Sequence, residues 1–131
     1  MVSRPLIGIV DDEESVRVAL RRLCGAYGLK TAAFSSLHEL SEAPELLQLD
    51  CLLLDVHMPG VGRAGASAWL RDRKISVPVI MMTGRDDDEL RDAPLPAGVT
   101  DMLFKPVDAE VLLGAIRSVL GSARLGDAEL P

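Results

Sequence analysis

The stretch CLLLDVHMPG, from Cys51 to Gly60, places four apolar residues directly before a single aspartate and a proline–glycine turn. A short apolar run that is bounded by polar and turn residues predicts a strand buried on both faces, as in a parallel sheet. Such a strand is a rigid support, and Asp55 at its tip would be held out at the edge of the sheet. This placement makes Asp55 a candidate for chemistry rather than for packing.

Similar apolar runs recur along the chain and alternate with helical patterns. The other four predicted strands are Leu6–Val10, Leu29–Phe34, Val77–Met82 and Thr100–Phe104. Five alternations of strand and helix predict an α/β protein with a doubly wound parallel sheet that helices cover on both faces. We expect one domain over residues 1–120 and a tail or truncated linker over 121–131.

The helical patterns carry recognisable start and stop signals. The apolar residues that share one face of the first helix are Val16, Leu20, Leu23 and Tyr27. Gly28 suits the end of that helix, and Ser36 with Glu39 forms a capping-box pattern for the second. A third helix is predicted around Ala66–Arg73, and Asp108 can cap the last one.

Composition excludes several classes of protein. Hydrophobic residues make up 48% of the 131-residue chain but aromatic residues only 3%, so the core must be aliphatic. No apolar run approaches the roughly 20 residues that span a bilayer, and the first residues lack a signal-peptide pattern, so we expect no membrane partner and a cytoplasmic location. A net charge of −6 argues against direct nucleic-acid binding. Cys24 and Cys51 are interpreted as small buried hydrophobes.

Polar residues stand at the ends of four predicted strands. They are Asp11 and Asp12 after the first strand, Asp55 after the third, Thr83 and Gly84 after the fourth, and Lys105 and Pro106 after the fifth. Because ligands of open parallel sheets bind beyond the carboxyl ends of the strands, we expect these side chains to share one crevice.

Three carboxylates in one crevice repel each other unless a cation lies between them. Lys105 is one candidate for this cation and Mg2+ is the other, since Mg2+ prefers carboxylates and waters. Thr83 and Lys105 beside a metal would form a cradle for a phosphoryl group. A carboxylate can itself be the nucleophile and become an acyl phosphate, and Asp55 is the best placed for that role.

Each of these residues also has an ordinary interpretation when it is taken alone. Asp11 or Asp12 could cap the first helix, and Asp55 could be a turn residue before Pro59. With no second histidine or cysteine nearby, the side chain of His57 is interpreted as that of a loop residue. The coincidence of polar residues at four strand ends favours the functional interpretation.

In order and spacing, these residues resemble the receiver domain of bacterial two-component response regulators over about residues 5 to 120. The resemblance rests on the paired aspartates Asp11 and Asp12, on Asp55 followed by Met58 and Pro59, on Thr83, and on Lys105 with Pro106. The stretches VDDEESVR and AGVTDMLFKP are similar to receivers of the nitrogen-fixation type of transcription regulator.

The resemblance implies a flavodoxin-like fold with strand order 2-1-3-4-5 and a phosphorylation-dependent signalling switch. Asp55 would accept a phosphoryl group from a sensor histidine kinase, and Thr83 and Lys105 would hold the phosphoryl oxygens. Asp12, Asp55 and the backbone carbonyl of His57 would bind Mg2+, or Mn2+ in its place, and Asp11 would help through water. The bond between Lys105 and its proline would be cis.

The same resemblance implies a protein that catalyses only its own phosphorylation and dephosphorylation and is not an enzyme acting on an outside substrate. Its partners would be the kinase and an effector domain or a protein target. The chain would be a monomer or would dimerise when phosphorylated.

Three features depart from the usual receiver pattern, and one of them is Arg63, which stands where a glycine is usual after the Met-Pro loop. Met102 stands where most receivers carry an aromatic switch residue, so Met102 and Thr83 are the candidate switch residues. Pro94 and Pro96 fall in the second half of the helix expected after Thr83. Because proline removes a helical hydrogen bond, we predict a shortened or irregular fourth helix that ends near Arg91–Ala93.

The residues suggest three other interpretations, and the first two are disfavoured for the reasons given. GVGRAG, residues 60–65, matches the dinucleotide-binding pattern GxGxxG, although His57-Met58-Pro59 intervenes after the strand. A phosphohydrolase that forms an aspartyl phosphate would usually carry a second aspartate at the position of His57. The third is a degenerate receiver that acts as a phosphorylation-independent interaction module.

Overall fold

The computed structural model describes residues 4–57, 62–84 and 94–121, except for the side chains of residues 63 and 64. Five parallel strands form one sheet in the order β2-β1-β3-β4-β5. Their bounds are β1 Leu6–Val10, β2 Lys30–Phe34, β3 Cys51–Asp55, β4 Val79–Thr83 and β5 Asp101–Phe104. This order confirms the predicted flavodoxin-like fold.

The described helices connect these strands or follow them. They are α1 Glu14–Ala26, α2 Leu37–Glu42, α3 Gly62–Asp72 and α4 Ala109–Leu120, with a 3-10 helix at Pro44–Gln48 before β3. None of the helices in the described ranges has the length and apolar character of a membrane span.

Two hydrophobic layers enclose the sheet because successive side chains of a strand point to opposite faces. Residues such as Ile9 and Leu53 pack with the buried residues of α1 and α4. Residues such as Leu52 and Leu54 pack with those of α2 and α3. β3 is buried along its whole length, which makes it the rigid support that its sequence predicts.

The two cysteines are free thiols inside the layer that contains α1 and α4. Burial raises the pKa of Cys24 to about 11 and that of Cys51 to about 12. Both thiols are therefore protonated at neutral pH, which confirms their interpretation as small buried hydrophobes.

Strand β4 begins two residues later than predicted, at Val79, because Pro78 has no N–H to donate to the ladder. The carbonyl of Pro78 still accepts a hydrogen bond from the Leu52 N–H at 2.9 Å. α3 begins earlier than predicted, at Gly62.

The shortened helix predicted between β4 and β5, which is expected to end near Arg91–Ala93, falls outside the described residues. From Pro94 to Thr100 the chain is irregular and turns at Gly98, whose φ is +86°. The Ser67 hydroxyl on α3 donates a hydrogen bond to the carbonyl of Ala97 at 2.7 Å, which fixes this segment against the helix.

Candidate functional site

The carboxyl ends of β1, β3, β4 and β5 lie side by side because the strands are parallel and in register. Val10 pairs with Leu54, and Thr83 pairs with Phe104. The residues that follow these pairs therefore emerge at the same edge of the sheet. The structure brings together the strand-end residues that the sequence singled out.

Three carboxylates meet at this edge. Asp11, Asp12 and Asp55 each offer an oxygen, and these oxygens lie within 4.8 Å of one another. Asp11 and Asp55 are 0% and 1% exposed, whereas Asp12 is exposed to solvent. Buried carboxylates at such distances demand a compensating cation.

Lys105 supplies part of that compensation. Its Nζ lies 3.0 Å from Asp11 Oδ2 and 3.3 Å from Asp55 Oδ1. Burial by itself would lower the pKa of Lys105, but the hydrogen bond to Asp11 and the charges of both carboxylates outweigh burial and raise it. The ammonium is therefore fixed in its charged form between the two buried carboxylates.

One ammonium does not balance three carboxylates, and the remaining charge suits a divalent cation. The ligand atoms that this cluster offers are carboxylate oxygens, which Mg2+ prefers, and the exposed Asp12 opens the cluster to water. The residues present thus fit a magnesium site. The backbone carbonyl of His57 as a further ligand stays a prediction.

Asp11 has a second role that differs from the expected helix cap. Its Oδ1 accepts a hydrogen bond from the Glu13 N–H at 2.9 Å, which is the geometry of an Asx turn. The N-cap residue of α1 is Glu13, and its side chain makes no cap hydrogen bond. The expectation that Asp11 or Asp12 caps α1 is therefore wrong, because the turn places Glu13 at that position.

Strand β4 presents Thr83 to the site. Thr83 is fully buried, and Lys105 follows on the neighbouring strand, where its N–H donates to the carbonyl of Thr83 at 2.7 Å. The bond between Lys105 and Pro106 is cis, as the resemblance implied.

The imidazole of His57 makes contacts at this edge that the sequence interpretation did not predict. Its Nε2 lies 2.9 Å from Thr83 Oγ1 and 2.6 Å from the Gly84 nitrogen. The backbone N–H of His57 donates to Asp55 Oδ1 at 3.1 Å, so the chain after β3 folds back over the carboxylate. His57 lies outside the helices and strands, as interpreted from the sequence, but its side chain contacts the end of β4. Its position two residues after Asp55, beside the strand that carries Thr83, was the available signal.

Met102 lies within β5, farther from the carboxyl edge of the sheet than the other predicted site residues. It pairs with Met81, two residues before Thr83, and packs half-buried against the layer that contains α2 and α3. Its role as a switch residue stays a prediction.

Comparison with known proteins identifies the family. Residues 7–117 match the response regulator receiver domain. The chain is 35% identical over 115 residues to the response regulator protein TmoT of Ectopseudomonas mendocina, a match that covers 88% of this chain and 52% of TmoT. It is 32% identical over 124 residues to the transcriptional regulatory protein FixJ of Azorhizobium caulinodans, with 94% of this chain and 59% of FixJ covered.

Among solved structures, the chain is similar to a response regulator receiver protein from Burkholderia phymatum. The TM-score is 0.74 and the identity 34%, with 90% of this chain and 96% of that one covered. The chain spans between half and three-fifths of the length of the two curated relatives. These matches favour the receiver interpretation over the dinucleotide-binding and phosphohydrolase interpretations. With its five-stranded sheet and its carboxylate cluster, the chain belongs to the response regulator receiver domain family, and its similarity is to receivers of the FixJ type.

Proposed function

We propose that this chain is a phosphorylation-dependent switch of a two-component system, in which Asp55 accepts a phosphoryl group from a sensor histidine kinase. The observation that carries the proposal is the position of Asp55. It is buried at the end of a rigid strand, and Lys105 Nζ lies 3.3 Å from its Oδ1. The neighbouring carboxylates of Asp11 and Asp12 add negative charge around it. Family membership supports the same role.

In the proposed step, a carboxylate oxygen of Asp55 attacks the phosphorus of a phosphohistidine. The oxygen–phosphorus bond forms while the phosphorus–nitrogen bond breaks, and the leaving imidazole keeps the electron pair and takes up a proton from solvent. Lys105 and the hydroxyl of Thr83 would stabilise the charge on the transferred oxygens.

We propose that Mg2+, or Mn2+, is held by Asp12, Asp55 and the backbone carbonyl of His57, with Asp11 contributing through water. Bound there, the cation would supply charge neutralisation for the acyl phosphate. The three carboxylate oxygens within 4.8 Å of one another support this assignment.

The partners follow from the same proposal. The kinase is the phosphoryl donor, and an effector domain or a separate protein target receives the signal. We further propose a cytoplasmic protein that is monomeric or dimerises when phosphorylated. With a net charge of −6, this domain would not bind nucleic acid directly, and it would not turn over an outside substrate.

The test is intact-mass spectrometry after incubation with Mg2+ and acetyl phosphate. We expect the wild type to gain one phosphoryl group and Asp55→Asn to gain none. Asp50→Asn is the matched control, because Asp50 precedes the same strand at the opposite end of the sheet, and it should gain as the wild type does. Omission of Mg2+ should prevent the gain.

Labelling of Asp55→Asn to the same extent as the wild type would contradict the proposal. A wild type that gains nothing from acetyl phosphate, phosphoramidate or phosphorylated histidine kinases would support the phosphorylation-independent module instead.

A further inference from the structure

Two donors converge on a single nitrogen of His57. The Gly84 N–H points at Nε2 over 2.6 Å, and the Thr83 hydroxyl oxygen lies 2.9 Å from the same atom. A backbone N–H can only donate, so Nε2 must carry its lone pair here and the ring proton must sit on Nδ1. An unprotonated Nε2 cannot donate to Thr83, so that hydroxyl also donates to the imidazole.

The point where these two donors meet is suited to an anionic oxygen. A backbone N–H and a hydroxyl that converge on one position form the kind of cradle that stabilises negative charge. Thr83 is also the residue proposed to hold a phosphoryl oxygen on Asp55. In this structure the lone pair of the imidazole takes the place that such an oxygen would take.

The backbone brings the imidazole to this place by a short route. His57 follows Asp55 by two residues, and Asp55 pairs with Met82, the neighbour of Thr83 on β4. Gly84 permits the close approach, because a Cβ at that position would lie only 3.1 Å from Nε2. His57 is exposed, so part of its surface already contacts solvent.

We propose that the His57 imidazole is a built-in competitor of the phosphoryl group, an inference that rests on the proposed function. In the unphosphorylated chain it occupies the Thr83 hydroxyl and the Gly84 N–H. Phosphorylation of Asp55 places an oxygen at the same donors and displaces the ring into solvent. The displaced imidazole is a phosphorylation-dependent change of surface that does not require an aromatic residue at position 102.

The first test is the affinity for beryllofluoride, a phosphoryl mimic, measured in Mg2+ by titration of amide NMR signals. His57→Ala removes the competitor, so it should bind beryllofluoride about tenfold more tightly, as expected for the release of one to two ordinary hydrogen bonds. Phosphorylation by acetyl phosphate should be faster by a similar factor. A general loss of structure would weaken binding, so a gain in affinity separates competition from a structural role.

The matched control is the other histidine of the chain. His38 lies on α2, where its Nε2 pairs with Glu42 at 2.8 Å and its side chain is 81% exposed. His38→Ala should bind beryllofluoride as the wild type does.

The second test uses the wild type and needs no variant. An N–H···N hydrogen bond transmits a scalar coupling between its two nitrogens. We expect such a 15N–15N coupling between the Gly84 amide and His57 Nε2 in the Mg2+-bound protein, and we expect it to vanish in the beryllofluoride complex.

The outcomes are distinguishable. A His57→Ala affinity equal to or weaker than that of the wild type overturns the inference. A coupling that is absent from the Mg2+-bound protein, or that persists in the beryllofluoride complex, overturns it as well. If neither the wild type nor His57→Ala binds beryllofluoride or gains a phosphoryl group, the proposed function fails and the inference fails with it.

Discussion

Two aspartates flank strand β3, and their surroundings give them opposite tasks. Asp50 precedes the strand, and its Oδ2 accepts a hydrogen bond from the Leu6 N–H at 2.8 Å while its own N–H donates to the Leu6 carbonyl at 2.8 Å. Asp55 ends the strand among two other carboxylates and Lys105. The same type of side chain thus hydrogen-bonds to a backbone N–H at one end of the sheet, in Asp50, and adds negative charge to the carboxylate cluster at the other end, in Asp55.

The difference teaches that residue type does not decide the role of an aspartate at a strand end, since Asp50 is half-buried and Asp55 fully buried. Asp50 satisfies a backbone N–H that would otherwise lose its partner, so its carboxylate stabilises the fold. Asp55 lies against like charge that Lys105 compensates only in part, which costs stability in the absence of a divalent cation. The contrast can be tested at each end of β3.

The largest expected effect concerns the cation beside Asp55. Lys105→Met should slow phosphorylation by acetyl phosphate about a hundredfold, because removal of one positioned donor from a site of this kind typically costs that much or more. The matched control is Lys30→Met, since Lys30 is exposed at the first position of β2, at the end of the sheet where Asp50 lies. Initial rates from intact-mass spectra measure both, and equal rates in the two variants would refute the role given to Lys105.

A second prediction concerns Mg2+ and stability. A ligand that binds only the folded state at about 100 times its dissociation constant stabilises it by about 2.7 kcal/mol. Urea unfolding at such a Mg2+ concentration should show this gain for the wild type and for Asp50→Asn. Asp12→Asn should show a clearly smaller gain, because it removes the exposed carboxylate of the cluster. A full gain in Asp12→Asn would remove that residue from the metal site.

The smallest effect concerns the free energy of unfolding when EDTA removes divalent cations. Substitution of Asp50 should lower it and substitution of Asp55 should raise it. Asp50→Ala should lower the free energy of unfolding by about 1 to 3 kcal/mol, because the Leu6 N–H loses its acceptor. Asp55→Asn should raise it by about 1 kcal/mol, because the repulsion with Asp11 is relieved while Lys105 keeps its hydrogen bond to Asp11. Urea titration followed by the fluorescence of Trp69, which packs against the core, measures both. Destabilisation by Asp55→Asn comparable to that by Asp50→Ala would erase the contrast.

Much of the local structure was predictable because its causes lie within a few residues. Ser36 caps α2 by accepting from the Glu39 N–H at 3.1 Å, and Asp108 caps α4 by accepting from the Glu110 and Val111 N–H groups at 3.1 and 3.2 Å. Gly28 ends the α1 segment with a φ of +80°. The cap of α1 was predicted wrongly because a carboxylate before a helix can form an Asx turn instead, and the sequence does not distinguish the two.

The sequence alone determined which residues stand at the strand ends, since alternating apolar runs and turn residues specify where each strand stops. Strand order came from the family resemblance, and the structure confirmed it. Only the tertiary structure decided the partners across the site: Lys105 lies between Asp11 and Asp55, although 94 residues separate it from Asp11, and the His57 imidazole meets Thr83 across 26 residues. The physical reason is range. Periodicity and capping act between near neighbours, whereas ion pairs and hydrogen bonds between strands form only after the packed sheet has brought their donors and acceptors within 3 to 4 Å.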